Sequence, residues 1–482
     1  MAVHCAATAL ISAVKARAAP AAVRICTANA DISFNGDSGK NNLPLTLHRK
    51  YTRRRSPDAR SDIRDPHIAA LMRATMKESG IADQSVDAIV VGGGPVGLTA
   101  AIALASCGVQ TALIAPPRSG LDYRTTALLH GSVAALKALG VWQQCCSRAA
   151  PLRSIRLVDD TARLLRAPEA YFLAEEIDLE AFGHNVENRY LLAALEARAK
   201  TLPSLVCIAG QAANVELAPG HATVVLKSGE RLSGKLLVGA DGRGSACRAA
   251  AGIALTRWGP ASQYALTLSF THTRTHQDAS IEFHTEWGPF TLVPLPARRS
   301  SLVYVMNAAD HQRVCTLSDR ELGEEIENRS HSVLGKVEVE PGRGFFPLST
   351  ETAAAFSGLR LALLGEAAHV LPPIGAQGLN LSLRDAATLA ELVAEAARNG
   401  GDVGASELLG RYDRMRRPDI MSRTVAVDLL NRSLLSDFLP WQATRGLGLF
   451  LMQQIAPLRR AAMREGAMPA ASAPRLMRGE LL

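Results

Sequence analysis

Ala88-Ile-Val-Val91 is a run of consecutive apolar residues, the pattern of a short strand buried on both faces. Glycines and a proline interrupt it, and Leu98 to Ser106 continues as an apolar helix. Thr111-Ala-Leu-Ile-Ala115 reads as a second buried strand, so the unit predicts parallel strands joined by a right-handed crossover. β-like sequence begins again near Ser154, with Ile155, Leu157 and Val158 as its apolar positions. Asn188 to Arg198 has the period of an amphipathic helix. Residues 205–241 read as a strand, a hairpin turning near Lys227-Ser-Gly229, and the buried strand Leu236-Leu-Val-Gly-Ala240. From Tyr264 to Phe346 the pattern is mainly β, with Phe290-Thr-Leu-Val293 and Ser301-Leu-Val-Tyr-Val305 alternating. Leu361-Ala-Leu-Leu364 is another buried strand, and the last hundred or so residues are helical, with Pro418, Pro440 and Pro457 as breaks. The prediction is an α/β fold: a nucleotide unit on a parallel sheet, interrupted by a β-rich insert and then resumed.

Composition alters this little, since 48% apolar and 20% charged residues are ordinary for a soluble chain. The net charge of +8 is not spread evenly. Residues 1–75 carry 12 Lys/Arg against 5 Asp/Glu, leaving 41 against 40 for the rest, so the body gives no charge argument for nucleic acid. The first 30 residues lack acidic side chains and include Lys15, Arg17 and Arg24, a weak likeness to a transit peptide. A start at Met72 or Met76 is the competing reading. Residues 1–84 are expected to be a disordered or non-native leader. Eight cysteines without CxxC spacing read as reduced thiols, and no metal site is predicted. The longest apolar candidate, Asp87 to Ala105, holds four glycines and a proline and is no transmembrane span.

Three separated segments carry the chemistry. Gly92-x-Gly94-x-x-Gly97 follows a strand and opens a helix, the context in which this spacing binds a dinucleotide. Gly92 permits the tight turn, Gly94 lets backbone approach a pyrophosphate, and Gly97 allows close helix–strand packing. The acid expected at the end of the second strand is replaced by Ala115-Pro116-Pro117, which argues against a plain nicotinamide dehydrogenase. Arg124 is a candidate contact to the pyrophosphate or ribose. The second segment, Asp241-Gly242, ends a buried strand where open α/β sheets place ligands. The third begins at Gly365-Glu366 and runs through Pro372-Pro373 and Gly375-Ala-Gln377-Gly378 into a helix from about Leu379. Glu366 suits the ribityl chain of a flavin, and the helix start suits negative charge on a reduced ring. His369 reads as a structural histidine that holds the turn.

With these motifs the chain resembles a class A FAD-dependent aromatic hydroxylase of the ubiquinone-biosynthesis hydroxylase family, over roughly residues 86–470. The likeness extends to Asp122-Tyr-Arg-Thr-Thr-Ala-Leu128, Leu136-Lys-Ala-Leu-Gly-Val-Trp142 and Gly288-Pro-Phe-Thr-Leu-Val-Pro294. Gly378-Leu-Asn380-Leu-Ser-Leu-Arg-Asp385 is its most family-specific part. Three departures stand out. Gly365-Glu366 replaces the family's Gly-Asp, Gly375-Ala376 exchanges the small residues of its Ala-Gly-Gln-Gly loop, and the acid at Ala115 is missing.

The resemblance implies FAD held by Gly92, Gly94, Gly97, Arg124, Asp241, Gly242, Glu366, Pro373, Gly375, Gln377, Gly378 and Asn380, with no catalytic side chain named. Segments 85–154, 185–254 and 351–400 would form the Rossmann-like FAD domain, 155–184 and 255–350 the substrate domain, and 401–482 a helical C-terminal region. A polyprenylated phenol would be hydroxylated with molecular oxygen through a flavin hydroperoxide, reduced by NAD(P)H or a ferredoxin-type donor. A lipid tail implies peripheral contact with a membrane, and a ubiquinone-biosynthesis complex is a candidate partner. Leu434, Leu435, Phe438, Leu439, Trp441, Leu447, Leu449, Phe450, Leu451 and Met452, with Arg445, Arg459 and Arg460, form the expected patch, core packing being the equal alternative. The expected place is the cytoplasmic side of the inner membrane, or the mitochondrial matrix side if the leader is a transit peptide. The alternatives are a hydroxylase of a soluble aromatic acid and a flavin-binding scaffold subunit.

Overall fold

Strands that are apolar at every position need cover on both faces, and the structure supplies it. The computed structural model describes residues 85–482 apart from 119, 121, 164–165, 259–262, 436–438 and 468–472, with side chains undescribed at 430, 433–435 and 439–445. The expected leader and the patch residues Leu434, Leu435, Phe438, Leu439, Trp441 and Arg445 therefore lie outside what is described. Five parallel strands form the nucleotide unit. They are β1 (Ser85–Val91), β2 (Thr111–Ala115), β3 (Leu205–Ala209), β4 (Arg231–Gly239) and β5 (Leu361–Leu363), in the order β5-β4-β1-β2-β3. The hairpin predicted near Gly229 joins Ala222–Leu226 antiparallel to β4, and Gly229 turns with φ +91°. Helix α1 (Pro95–Ser106) is buried at every position from Gly97 to Ala105. Its small side chains let it lie between the sheet and the long helix α2 (Gln377–Arg398).

The second sheet takes its strands from the two segments expected to bind substrate. Its order is Val337–Val339, Gln263–His272, Arg299–Asn307, Gly288–Leu295, Ala279–Thr285, Ser154–Asp159 and Ala170–Leu173. All of these pairings are antiparallel except Ala279–Thr285 with Ser154–Asp159. Leu255–Trp258, expected with this unit, pairs with Thr350–Ala353 in a separate small sheet. The segment read as mainly β also contains helices Ala308–Cys315 and Asp319–Arg329. The Asn307 side chain caps the first by accepting from the Asp310 amide at 2.8 Å, and Ser318 with Glu321 forms a capping box on the second. These caps outweigh the surrounding alternation.

A three-stranded sheet, Thr125–Leu129, Gly183–Glu187 and Ala149–Pro151, links the two units. Asn185 donates to Pro294 O at 2.9 Å, and Thr125 to Ser301 Oγ at 2.9 Å. In the helical region Pro418 does not break the chain, because α3 (Ser406–Leu435) runs through it. The proline removes one backbone hydrogen bond, yet Arg416 and Arg423 on either side tie the helix to α2 residues by ionic and hydrogen bonds. Pro440 and Pro457 each occupy the second residue of a helix.

Candidate functional site

The three motif segments leave adjacent strands at the same edge of the parallel sheet. β1 ends at Val91, β4 at Gly239 and β5 at Leu363. The Ala240 amide bonds Val91 O at 2.9 Å, and the Leu364 amide bonds Gly239 O at 2.9 Å. Gly92 has φ +122°, and a Cβ there would lie 2.1 Å from Ala240 O. A Cβ on Gly97 would lie 1.9 Å from Gly92 O. Both glycines are thus demanded by the fold itself. Gly94 differs: its backbone is extended (φ −75°, ψ 177°), and a Cβ there meets nothing within 4 Å. Open space therefore lies in front of the N-terminus of α1, whose first-turn N–H groups have no intrahelical acceptor.

Asp241 closes one side of this space. Its Oδ2 accepts from the Cys247 amide at 3.1 Å, while Oδ1 is buried without a hydrogen-bond partner. Gly242 continues with φ +81° and open space where a Cβ would stand. Arg248 holds the loop by donating to Ala367 O and Arg243 O, each at 2.8 Å. Glu366 stands across from this loop, half-exposed and 3.6 Å from Arg243 Nε. Arg124 forms two bonds to Asp122, at 2.8 and 2.7 Å, and lies over the Phe346 ring at 5.5 Å. Hydrogen bonding to Asp122 raises the Arg124 pKa despite burial, and the charge of Glu366 adds to it. The arrangement brings Gly94, Asp241, Glu366 and Arg124 into one neighbourhood.

The loop before α2 is finely held. Pro373 is exposed, Gly375 has φ +64°, and Ala376 has φ +55°. A non-glycine residue in the left-handed region costs roughly 1–2 kcal/mol, so the exchange of small residues leaves strain at position 376. Helix α2 begins at Gln377, two residues earlier than predicted. Gly378 has no atom within 4 Å of a notional Cβ. The side chains of Gln377 and Asn380, expected at the cofactor, are engaged inside the protein. Asn380 accepts from the Leu129 amide at 2.8 Å and donates to Ala127 O and Ala376 O, clamping the linking sheet to α2. Gln377 accepts from Arg423 at 2.9 Å and donates to Gly375 O at 3.0 Å. Both side chains shape the loop by holding its Gly375 and Ala376 carbonyls.

Behind the loop lies a hub that the sequence reading missed. Asp385 is fully buried and accepts from the Gly365 amide at 3.1 Å, His369 Nε2 at 2.7 Å and Arg416 Nε at 2.7 Å. Arg416 continues to Asp419 at 2.8 Å, and Asp419 to Arg423, which reaches Gln377. His369 is the turn-holding residue that the sequence suggested. The missed signal was the polar stripe Arg416, Asp419, Arg423 at helical spacing.

Room above Gly94, an unpartnered buried carboxylate oxygen and a free helix N-terminus fit a dinucleotide carrying a pyrophosphate. The FAD binding domain family matches residues 85–426. The chain is also 34% identical to ubiquinone hydroxylase UbiL of Rhodospirillum rubrum over 420 residues, covering 84% of this chain and 96% of that one. This chain belongs to the FAD-binding hydroxylases. It is 30% identical to the 3-demethoxyubiquinol 3-hydroxylase of Escherichia coli, over 79% of this chain and 98% of that protein. Its fold matches that of p-nitrophenol 4-monooxygenase PnpA from Pseudomonas putida DLL-E4, with a TM-score of 0.65 at 18% identity, covering 80% and 98% of the two chains. The flavoprotein is thus an FAD-dependent monooxygenase.

Among the residues around the space, Glu366 contributes one half-exposed carboxylate and does not set the turn. Glu366→Ala is expected to weaken FAD retention by about tenfold, one hydrogen bond's worth, with folding unchanged. Titration of apoprotein with FAD by flavin fluorescence reads this directly.

Proposed function

We propose that the protein hydroxylates the aromatic head group of a polyprenylated phenol in ubiquinone biosynthesis. The observation that carries this reading is the convergence of three FAD segments at one sheet edge in a chain 34% identical to a ubiquinone hydroxylase. Bound FAD supplies the activation of molecular oxygen. The protein's own work is to bind, orient and exclude water. The N-terminus of α1 with Gly93 and Gly94 would hold the pyrophosphate, and Asp241 Oδ1 would accept a hydrogen bond from a cofactor hydroxyl. Glu366 would serve the ribityl chain, Arg124 the pyrophosphate or ribose, and the N-terminus of α2 near Gly378 would favour negative charge on the ring. The large sheet walls the phenol. The electrons come from an external donor, NAD(P)H or a ferredoxin-type protein.

A prenyl tail must be drawn from a membrane. No helix of the described residues is long and apolar enough to cross one. Helix Leu439–Gln454 supports peripheral contact: Leu447 is 56% exposed, with Phe450, Leu451 and Ile455 exposed beside it, while Leu449 and Met452 face the core. Arg460 is exposed nearby, whereas Arg459 is engaged by Glu176. The proposed location is peripheral, at the membrane that makes ubiquinone, with a biosynthetic complex as candidate partner.

Deleting the gene and analysing the quinone pool by mass spectrometry tests the assignment. A precursor lacking one ring hydroxyl is expected to accumulate. An unchanged pool would count against the proposal.

A further inference from the structure

Between α2, α3 and helix Ala456–Ala467 lies a cavity of about 260 Å³, several times the space one water needs. Arg416 and Arg423 form its inner wall, with side chains 3% and 4% exposed, and Arg384 stands beside them at 15%. Met415 and Glu465, both exposed, lie at its mouth. The lining includes none of Gly94, Asp241, Glu366 and Arg124, so this is not the space before α1.

Charge in the cavity is unevenly met. Asp419 is shared by all three arginines, accepting from Arg384 Nη1, Arg416 Nη1 and Arg423 Nε at 2.8 Å each. Arg416 also has Asp385, from outside the cavity, and Arg423 gives Nη1 to Gln377. Arg384 is the poorest served, because its Nε is buried with no hydrogen-bond partner among the described residues. Arg423 Nη2 stands 3.7 Å from Glu465, an ionic contact beyond hydrogen-bond reach. Three guanidiniums of the lining thus face two carboxylates, one of them out in solvent. Burial chiefly, with repulsion from Arg423 and Arg416, outweighs Asp419 and lowers the pKa of Arg384, yet a guanidinium stays charged at ordinary pH. A buried charged donor left unmade is costly and calls for a water or an ion. A water would complete the hydrogen bond only, whereas an oxyanion also meets the excess charge.

We propose that this cavity binds a compact oxyanion of the phosphate class through Arg384 Nε and Arg423 Nη2, and that its occupancy steadies the flavin loop. Guanidinium forks suit phosphate oxygens, and neither donor has to leave a present hydrogen bond. Asp419 repels an anion in the same cavity, but its two oxygens are already covered by the three arginines. The path to the loop is short. Arg423 donates to Gln377, which holds Gly375 O, and Arg416 donates to Asp385, which holds the Gly365 amide. An anion that fixes Arg423 from the cavity side restrains the turn from which α2 starts.

The test titrates the FAD-loaded protein with inorganic phosphate in a calorimeter, against chloride at equal ionic strength. Wild type is expected to give saturable binding that chloride does not reproduce. Arg384→Gln should weaken it about 10–100-fold, as loss of a charge-assisted hydrogen bond. Glu465→Gln, at the exposed mouth, should tighten it about two- to fivefold by removing a competing charge. Saturating phosphate should also slow FAD release, followed by flavin fluorescence on dilution, about fivefold in wild type and not in Arg384→Gln. Absent saturable binding means that the cavity holds water only, and overturns the site. An affinity equal in all three proteins overturns it too. Should Arg384→Gln fail to fold, an unchanged affinity in Glu465→Gln is enough to do so. Phosphate that hastens FAD release is competing at the cofactor's own pyrophosphate position, and binding without any effect on release overturns the link to the loop. Phosphatidylglycerol vesicles in phosphate-free buffer read the source. Slowing that depends on Arg384 supports a lipid headgroup at this site, and inactive vesicles beside active phosphate support the free ion.

Discussion

Gly94→Val is expected to purify as folded, monodisperse protein without the yellow absorbance of bound flavin. The added side chain meets no protein atom within 4 Å at its Cβ, so the fold has room for it. It fills the open space before the α1 N-terminus instead, the site proposed for the pyrophosphate. Losing two backbone hydrogen bonds to a charged group removes about 3–6 kcal/mol, or roughly 10²–10⁴-fold in affinity. Circular dichroism and the flavin-to-protein absorbance ratio check both halves. Gly97 is the contrasting position. Its Cβ would sit 1.9 Å from Gly92 O, so substitution there disturbs the fold as well as the site. If Gly94→Val kept full flavin absorbance, the pyrophosphate would lie elsewhere.

Asp385→Ala is expected to cost about 3–5 kcal/mol of stability, because it leaves buried Arg416 without one of its carboxylate partners. Gly365 and His369 lose their acceptor in the same step, so the Glu366 turn should loosen and FAD retention fall too. Denaturant midpoints with and without added FAD separate the two effects. The hub also sets an acid limit. Burial raises the Asp385 carboxyl, but the charges of His369 and Arg416 outweigh it and leave the group below its usual value. Its contribution is thus fully present above the unfolded carboxyl value of about 4 and lost as pH falls through the lower folded value. Wild-type stability should drop across that acidic window, and Asp385→Ala should show a shallower drop.

Much of this was readable from local pattern. The β1–turn–α1 unit follows from apolar runs and the positions of Gly92 and Gly97, both of which the backbone geometry requires. The adjacency of β1, β4 and β5 followed from motif order together with the family resemblance, since register between distant strands leaves no local trace. The helices at Ala308–Cys315 and Asp319–Arg329 were missed although Asn307 and Ser318 with Glu321 are cap signals, because alternation on either side dominated the reading. Pro418 was misread because tertiary ionic ties override a single breaker. Gln377 and Asn380 illustrate a different limit. The sequence marked them as functional, but the tertiary structure turns their side chains to the loop and the linking sheet.

Crystals of the protein grown with FAD test the central claim most directly. One continuous cofactor density is predicted, with its pyrophosphate at Gly94 and its hydroxyls within reach of Asp241 and Glu366. Well-ordered FAD bound away from that sheet edge would contradict the account.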